Sequence, residues 1–186
     1  AAYVGMMAYV VMAIAAGIGY VWRLKIAHAV AVSAAPIGAW FTVCALITGA
    51  IWGRPTWGTY WQWGDPRIMS ETLLLFLFLG YMALRAAFDD RDKADKVTAI
   101  LAVVGVVNVP IIHYSVEWWN SLHQGPTILR GDGPAMVGEM LSPFLIMVFG
   151  FTLFFYWLLL RRLQAEIVER EGDARWIREL VAEAPR

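Results

Sequence analysis

The chain has 186 residues, of which 60% are hydrophobic and 16% are charged, and its mean hydropathy is +0.57. Soluble domains carry about a quarter of charged residues, so this composition excludes an ordinary soluble domain and predicts an integral membrane protein. The 15 basic residues balance 15 acidic ones, which argues against a nucleic-acid-binding surface. The single cysteine, Cys44, excludes an intrachain disulfide and is interpreted as a small core residue.

Five apolar runs are long enough, or nearly so, for the ~20 residues that a spanning helix needs. They predict an all-α integral membrane protein with a bundle of five transmembrane helices. The runs are Ala1–Trp22, Ile26–Trp52, Ile68–Leu84, Val97–Val116 and Met140–Leu160. Pro36 lies inside the second run and predicts a kink or local break there.

Basic residues are distributed unequally between the two ends of these runs. Twelve of the 15 lie at one end, and only Arg54, Arg67 and Arg130 lie at the other. The positive-inside rule therefore predicts a transmembrane domain over 1–160 with periplasmic loops at 53–67 and 117–139, and a cytoplasmic helical tail over 161–186. An odd number of spans puts Ala1 outside, so we expect that a first helix is missing from this chain.

The loop 53–67 is unusually aromatic, because Trp57, Tyr60, Trp61 and Trp63 lie within seven residues of one another. Two interpretations stay open. Trp and Tyr collect at membrane–water interfaces, so the cluster fits an interfacial belt. Their flat faces would equally form a platform for a large, flat, apolar ligand. A belt would scatter its aromatic residues over several helix ends, whereas these are concentrated in one loop.

The second predicted outer loop contains His123 close to Trp118 and Trp119. Neutral imidazole is the commonest protein metal ligand. No residues have the spacing of a zinc site, so an iron porphyrin, which needs one or two axial ligands and an apolar wall, fits better. The alternative is an ordinary surface histidine. His113, at the outer end of the fourth run, is either a functional candidate or a neutral, hydrogen-bonded core histidine.

Charged residues near the aromatic loop also suggest roles. Arg67 and Arg130 could hold ligand carboxylates, such as heme propionates, through forked hydrogen bonds, or could be solvated loop charges. Asp65 before a proline is typical of a helix N-cap, and Glu71 could pair with Arg67 four residues away. No catalytic Ser/His/Asp set or phosphate-binding loop is evident, so we predict a binding protein and not an enzyme.

Three stretches resemble one known family. Residues 57–67 resemble the tryptophan-rich WWD signature of heme-handling proteins. Residues 34–38, with the sequence AAPIG, and 107–124, with the sequence VNVPIIHYSVEWWNSLHQ, resemble the CcmC family of the bacterial cytochrome c maturation pathway. The resemblance covers essentially the whole chain. The sister family CcmF shares the loop but is much longer, so length argues against it.

The resemblance implies a six-helix protein of the bacterial inner membrane that holds heme b at its periplasmic face between two axial histidines. His123 matches one of them, and the other would fall immediately before Ala1. It also implies delivery of heme to the chaperone CcmE, assisted by CcmD and the ATPase pair CcmA–CcmB. The loop departs from the family pattern at Tyr60, which replaces a tryptophan, and at Gly64, an additional residue before Asp65.

The resulting hypothesis is a heme-binding and delivery protein. Lyase would also be a defensible label, because the partner takes the heme covalently, but no acid, base or nucleophile set is evident for it. Its expected site residues are Trp57, Trp61, Trp63, Asp65, Arg67, Trp118, Trp119 and His123, with His123 as the ligand of the heme iron and the tryptophans as walls. The alternative is a transporter that carries heme across the bilayer, whose mark would be polar residues at mid-membrane. A third interpretation, a structural assembly subunit with interfacial aromatic residues, predicts no bound heme.

Overall fold

The structure is a computed structural model that describes residues 1–119, 121–123, 125, 136–172 and 174. These residues form six α-helices and contain no strand. The helices are α1 (Ala2–Trp22), α2 (Lys25–Trp57), α3 (Pro66–Ala86), α4 (Arg91–Gly105), α5 (Asn108–Trp118) and α6 (Gly138–Arg170). Because α4 and α5 share one apolar stretch, the described chain has five helical segments long and apolar enough to cross a membrane. The predicted all-α, five-span membrane fold is confirmed.

Helix α2 is longer than its predicted run. It continues five residues beyond Trp52 to Trp57, so the first third of the predicted loop 53–67 is helical. Gly58 ends the helix with φ of 78°, a left-handed conformation that glycine adopts at little cost. Of the kink or local break predicted at Pro36, the break is wrong, because the helix continues through this residue. Trp57 is therefore held by a rigid helix rather than by a loop.

The predicted single helix Val97–Val116 is wrong in one respect, because the chain is interrupted between α4 and α5. Pro110 has no N–H to donate to the Val106 carbonyl four residues earlier. That carbonyl instead accepts from the Val109 N–H at 3.0 Å, which tightens the turn. The proline therefore divides this span near its middle, and α5 carries His113 and Trp118.

Small residues allow the helices of the bundle to approach closely. Helices α1 and α2 pack together more extensively than any other pair, and alanine and glycine dominate their buried faces. Gly38 of α2 lies against the ring of Phe78 in α3, and a Cβ at this glycine would overlap the ring. Phe78 also makes an edge contact with Tyr9 of α1, with ring centroids 5.0 Å apart. Gly38 thus sets the separation of α2 and α3.

The basic end of the bundle is tied together by a buried ion cluster. Arg170 Nη1 lies 2.9 Å from Asp95 Oδ2, and Arg170 Nε lies 2.7 Å from Glu166 Oε1. Arg85 binds both of the same carboxylates. The predicted helical tail is therefore helical through Arg170 as an extension of α6, and ion pairs join it to α3 and α4. The remainder of the predicted tail, at 173 and 175–186, lies outside the described residues.

Candidate functional site

The loop that follows α2 is fixed by contacts within itself. The Arg54 guanidinium donates a hydrogen bond to the Gly58 carbonyl and lies 5.5 Å from the centre of the Tyr60 ring. The Thr59 hydroxyl donates to the Trp61 carbonyl at 3.0 Å and accepts from the Trp61 N–H at 3.3 Å. The contacts of Arg54 form because helix α2 ends at Gly58, four residues after this arginine. The aromatic side chains therefore stand on an ordered backbone.

Asp65 closes the loop and begins α3. Its Oδ1 accepts hydrogen bonds from the backbone N–H groups of Arg67 at 3.0 Å and Ile68 at 3.1 Å, so the predicted N-cap is present. Its Oδ2 accepts from the Ser121 hydroxyl at 2.7 Å and the Leu122 N–H at 2.9 Å. Burial alone would raise the pKa of Asp65, but the hydrogen bonds from Ser121, Ile68 and Leu122 outweigh it and lower the pKa. The carboxylate is therefore ionised and joins the loop that follows α2 to the loop that follows α5.

His123 is oriented by this carboxylate. Its Nδ1 lies 3.2 Å from Asp65 Oδ1 and 3.3 Å from Oδ2, and its backbone N–H donates to the Ser121 hydroxyl at 3.1 Å. An ionised carboxylate only accepts hydrogen bonds, so Nδ1 carries the proton. Burial lowers the pKa of His123, and although Asp65 raises it, the net pKa is below the ordinary value. The imidazole is consequently neutral near pH 7, with its lone pair on Nε2.

This pairing is typical of a metal-binding histidine. Such residues commonly donate their second ring N–H to a carboxylate, which fixes the tautomer and the ring orientation. Within the described residues, Nε2 of His123 has no hydrogen-bond partner. No group of three or more His, Cys, Asp or Glu residues in the described part of the chain could hold a bare metal ion. The geometry suits a metal that needs only one or two protein ligands, as iron in a porphyrin does.

A mainly apolar cavity that is partly open to solvent adjoins His123. The ring of Trp57 forms one wall and makes an edge contact with His123, with ring centroids 4.6 Å apart. The ring of Trp52 makes an edge contact with the ring of Trp57, with ring centroids 5.0 Å apart. The lining residues are Ala2, Ala45, Leu46, Gly49, Ala50, Trp57, Thr59, Tyr60, Trp61, Gln62, Arg67, Ile68, Glu71 and His123.

Three polar groups of the cavity lack partners among the described residues. The Trp61 indole N–H is buried without a hydrogen bond, and so is Oε1 of Glu71, whose side chain is only 6% exposed. The predicted ion pair between Glu71 and Arg67 does not form, and the Arg67 guanidinium has no acidic partner in the described structure. The cavity therefore presents a cation, an unused N–H donor and an unpaired carboxyl oxygen. The first two suit a ligand that carries carboxylates.

Comparison with known proteins agrees with this chemistry. The family model described as CcmC, heme exporter protein C, matches residues 1–178. The chain belongs to the CcmC family. The resemblance predicted from the sequence is therefore confirmed.

Several curated CcmC relatives are similar over most of the chain, and all three named here are called heme exporter protein C. The relative from Escherichia coli (strain K12) is 49% identical over 174 residues, which are 93% of this chain and 69% of the relative. The relative from Haemophilus influenzae is 46% identical over 91% of this chain and 68% of its own length. The relative from Rhodobacter capsulatus is 39% identical over 94% of this chain and 72% of its own.

The residues expected from CcmC do not all meet at the cavity. Trp57, Trp61, Arg67 and His123 line it, and Asp65 lies behind His123. Trp63 is 78% exposed, and it contacts Trp61 at 5.8 Å without lining the cavity. The additional Gly64 is accommodated in a turn closed by the Asp65 N–H and the Gln62 carbonyl at 3.1 Å.

The remaining predicted residues of the CcmC pattern lie on other surfaces. Trp118 stacks on Tyr114 at 5.4 Å, and Trp119 lines a separate groove of about 1030 Å³ between α3 and α5. His113 makes an edge contact with Tyr114 at 4.8 Å and does not line the cavity beside His123. Arg130 lies outside the described residues.

Sequence reasoning missed two groups of site residues. Ser121 donates to Asp65 from 56 positions away, a contact that no local pattern indicates. Ala45, Gly49 and Ala50 of α2 form the floor of the cavity. Part of their signal is present in the sequence, because the small residues Ala45 and Gly49, four positions apart, share one helix face and leave a depression there.

Proposed function

We propose that this chain binds heme b in the cavity beside His123 and delivers it to the heme chaperone CcmE. The observation that carries the proposal is the Asp65–His123 pair, which leaves the Nε2 lone pair available beside an aromatic cavity. Membership of the CcmC family, whose relatives are named heme exporter protein C, supports the choice of ligand.

The residues of the cavity fit the parts of a heme molecule. Nε2 of His123 would bind the iron, and the faces of Trp57 and Trp61 would cover the porphyrin. Arg67 and the Trp61 N–H would hold propionates, because both are donors without partners in the described structure. Heme is cargo in this proposal, so its affinity must permit release, and no catalytic acid, base or nucleophile is required.

A second axial ligand is expected on the opposite side of the heme. The CcmC resemblance implies a histidine immediately before Ala1, and Ala2 already lines the cavity. We expect a chain extended by the family's preceding helix to show a six-coordinate heme spectrum when this chain shows a five-coordinate one. A six-coordinate spectrum in both would assign the second ligand to another group.

We also propose an orientation and partners. In the bacterial inner membrane, the cavity would face the periplasm, because the basic residues are concentrated at the opposite end of the helices. CcmD and the CcmA–CcmB ATPase pair would assist, since the described chain offers no nucleotide site of its own. Protease accessibility of the loop after α2 in oriented vesicles tests this topology.

The alternative is a transporter that carries heme through the bilayer, and the relatives' name favours it. A route through the bundle would have to pass Met12, Leu74 and Phe78, which are fully buried apolar residues between the two ends. Because these side chains would obstruct such a route, their packing favours delivery of heme at one face of the membrane over transport through the bundle. Uptake of heme into sealed vesicles that contain only this protein would favour the transporter.

The deciding experiment replaces His123, the proposed ligand of the heme iron. We expect His123→Ala to abolish the heme absorption band of the purified protein. His113→Ala, which removes a histidine outside the cavity, should leave the band unchanged. Equal heme retention in His123→Ala and the unmodified chain would refute the assignment of His123.

A further inference from the structure

A second groove lies between α2 and α6, away from the cavity beside His123. It has an empty volume of about 630 Å³. Helix α2 contributes Val32 and Ser33. Helix α6 contributes Leu158, Arg161, Arg162, Ala165, Glu166 and Glu169. The groove thus combines an apolar part with a strongly polar part on adjacent turns of the same helices.

The acidic side chains of this groove are already engaged. Glu166 binds Arg170 at 2.7 Å and Arg85 at 3.3 Å, and Glu169 lies 3.3 Å from Arg91. Arg161 and Arg162 have no ion-pair partner among the described residues, and both are exposed. Two guanidinium groups therefore leave the groove with uncompensated positive charge.

Ser33 provides an independent observation that points to a polar ligand. Its side chain lines the groove, is 2% exposed, and its hydroxyl finds no hydrogen-bond partner within the described structure. A buried hydroxyl without a partner costs free energy. An oxygen-rich group that entered the groove could accept its hydrogen bond.

The turn of α6 that precedes the arginines of the groove is apolar. Arg161 immediately follows the last apolar turn of α6. The exposed face of that turn carries Trp157, which stacks on Phe154 with ring centroids 5.9 Å apart. Arginine at the end of a membrane-spanning run extends its guanidinium toward the headgroup region. A molecule that fills the groove and follows α6 must therefore be anionic at one end and apolar at the other.

We propose that this groove binds the phosphate group of one anionic phospholipid, held by Arg161, Arg162 and Ser33. Its acyl chains follow the exposed apolar face of α6. Basic pockets between transmembrane helices on the cytoplasmic side recognise anionic headgroups in this way. A free phosphate ion shares the headgroup chemistry but cannot use the apolar part of the site.

The test is native mass spectrometry of the delipidated chain in detergent. Phosphatidylglycerol, phosphatidylcholine and inorganic phosphate are titrated separately. We expect one tightly held phosphatidylglycerol, with weaker phosphatidylcholine binding. The double variant Arg161→Gln/Arg162→Gln should bind phosphatidylglycerol about tenfold or more weakly, given the attraction that each basic residue contributes.

Two further variants keep the test specific. Lys93→Gln/Lys96→Gln removes the same charge from exposed residues of α4 that do not line the groove, and its affinity should be unchanged. Ser33→Ala should weaken binding by about threefold, the effect of one modest hydrogen bond, without lowering the melting temperature. Equal reductions in affinity for both double variants, or equal binding of phosphatidylcholine, would overturn the proposal. So would inorganic phosphate that binds as tightly as the lipid.

Discussion

The Nδ1 atom of His123 lies 3.2 Å from Oδ1 of Asp65, at one end of the bundle. The same carboxylate caps α3 through the backbone N–H groups of Arg67 and Ile68. One side chain therefore begins a membrane-spanning helix and sets the tautomer of the proposed iron ligand. The two roles can be separated, because an asparagine at this position would still cap α3 but would not offer His123 an ionised acceptor.

Asp65→Asn should retain α3 and lose heme affinity. The amide still caps the helix, but it no longer offers His123 an ionised acceptor, and removal of such a partner typically lowers metal affinity about 10- to 100-fold. Heme titration followed by absorbance measures the effect. Asp90→Asn is the matched control, because Asp90 caps α4 in the same manner without contacting a histidine. Similar heme affinities in the two variants would contradict the positioning role of Asp65.

Trp57 and Trp63 should differ in importance, although both belong to the tryptophan-rich signature. Trp57 lines the cavity and touches His123, whereas Trp63 is mostly exposed. Trp57→Ala removes the aromatic face that would cover the porphyrin, so it should reduce heme affinity by about tenfold or more. Trp63→Ala should change the affinity by less than about threefold. A larger reduction for Trp63→Ala, measured in the same titration, would show that the heme lies outside the cavity.

Arg67→Gln tests where the propionates bind. A hydrogen bond to a charged group contributes about 1.5–3 kcal/mol, so the variant should bind heme about tenfold or more weakly. Heme dimethyl ester has no free carboxylates, and its affinity should be nearly the same for Arg67→Gln and the unmodified chain. If both ligands lose affinity equally, Arg67 supports the fold of the cavity instead of the propionates.

Heme affinity should fall in acid because protons compete with iron for Nε2 of His123. The pKa of His123 in the folded chain is below its ordinary value of about 6.5, so the neutral form predominates above that pH. Affinity should decrease as the pH falls below 6.5 and toward the lowered pKa. Folding stability changes in the same direction, because the unfolded chain binds this proton first. Heme titrations from pH 8 to pH 5 provide the measurement, and an affinity that rises in acid would exclude a neutral imidazole ligand.

The sequence predicts the membrane fold well, because long apolar runs and their charged ends depend on local composition. The five spans and the cap at Asp65 follow from such local rules. Helix ends are less predictable. Helix α2 extends to Trp57 because Gly58 and Arg54 terminate it. The hydropathy of the preceding run does not indicate where the helix ends.

The site is only partly predictable for a related reason. The sequence indicates which residue types suit heme, but it does not indicate which of several tryptophans face one cavity. Trp57 and Trp63 differ in burial because one lies on a helix and the other in an exposed turn. The Asp65–His123 contact joins residues 58 positions apart, so only the packing of α3 against α5 brings them together.

That separation also has a consequence for biosynthesis. A nascent membrane protein emerges from its N-terminus onward, so α1, α2 and α3 enter the membrane while His123 is still unmade or inside the ribosome. The aromatic wall and Arg67 are then made before the proposed iron ligand. Until α4 and α5 have inserted, the proposed heme site lacks the Nε2 atom of His123. If heme is held as proposed, coordination by His123 must wait until the fourth span is in place.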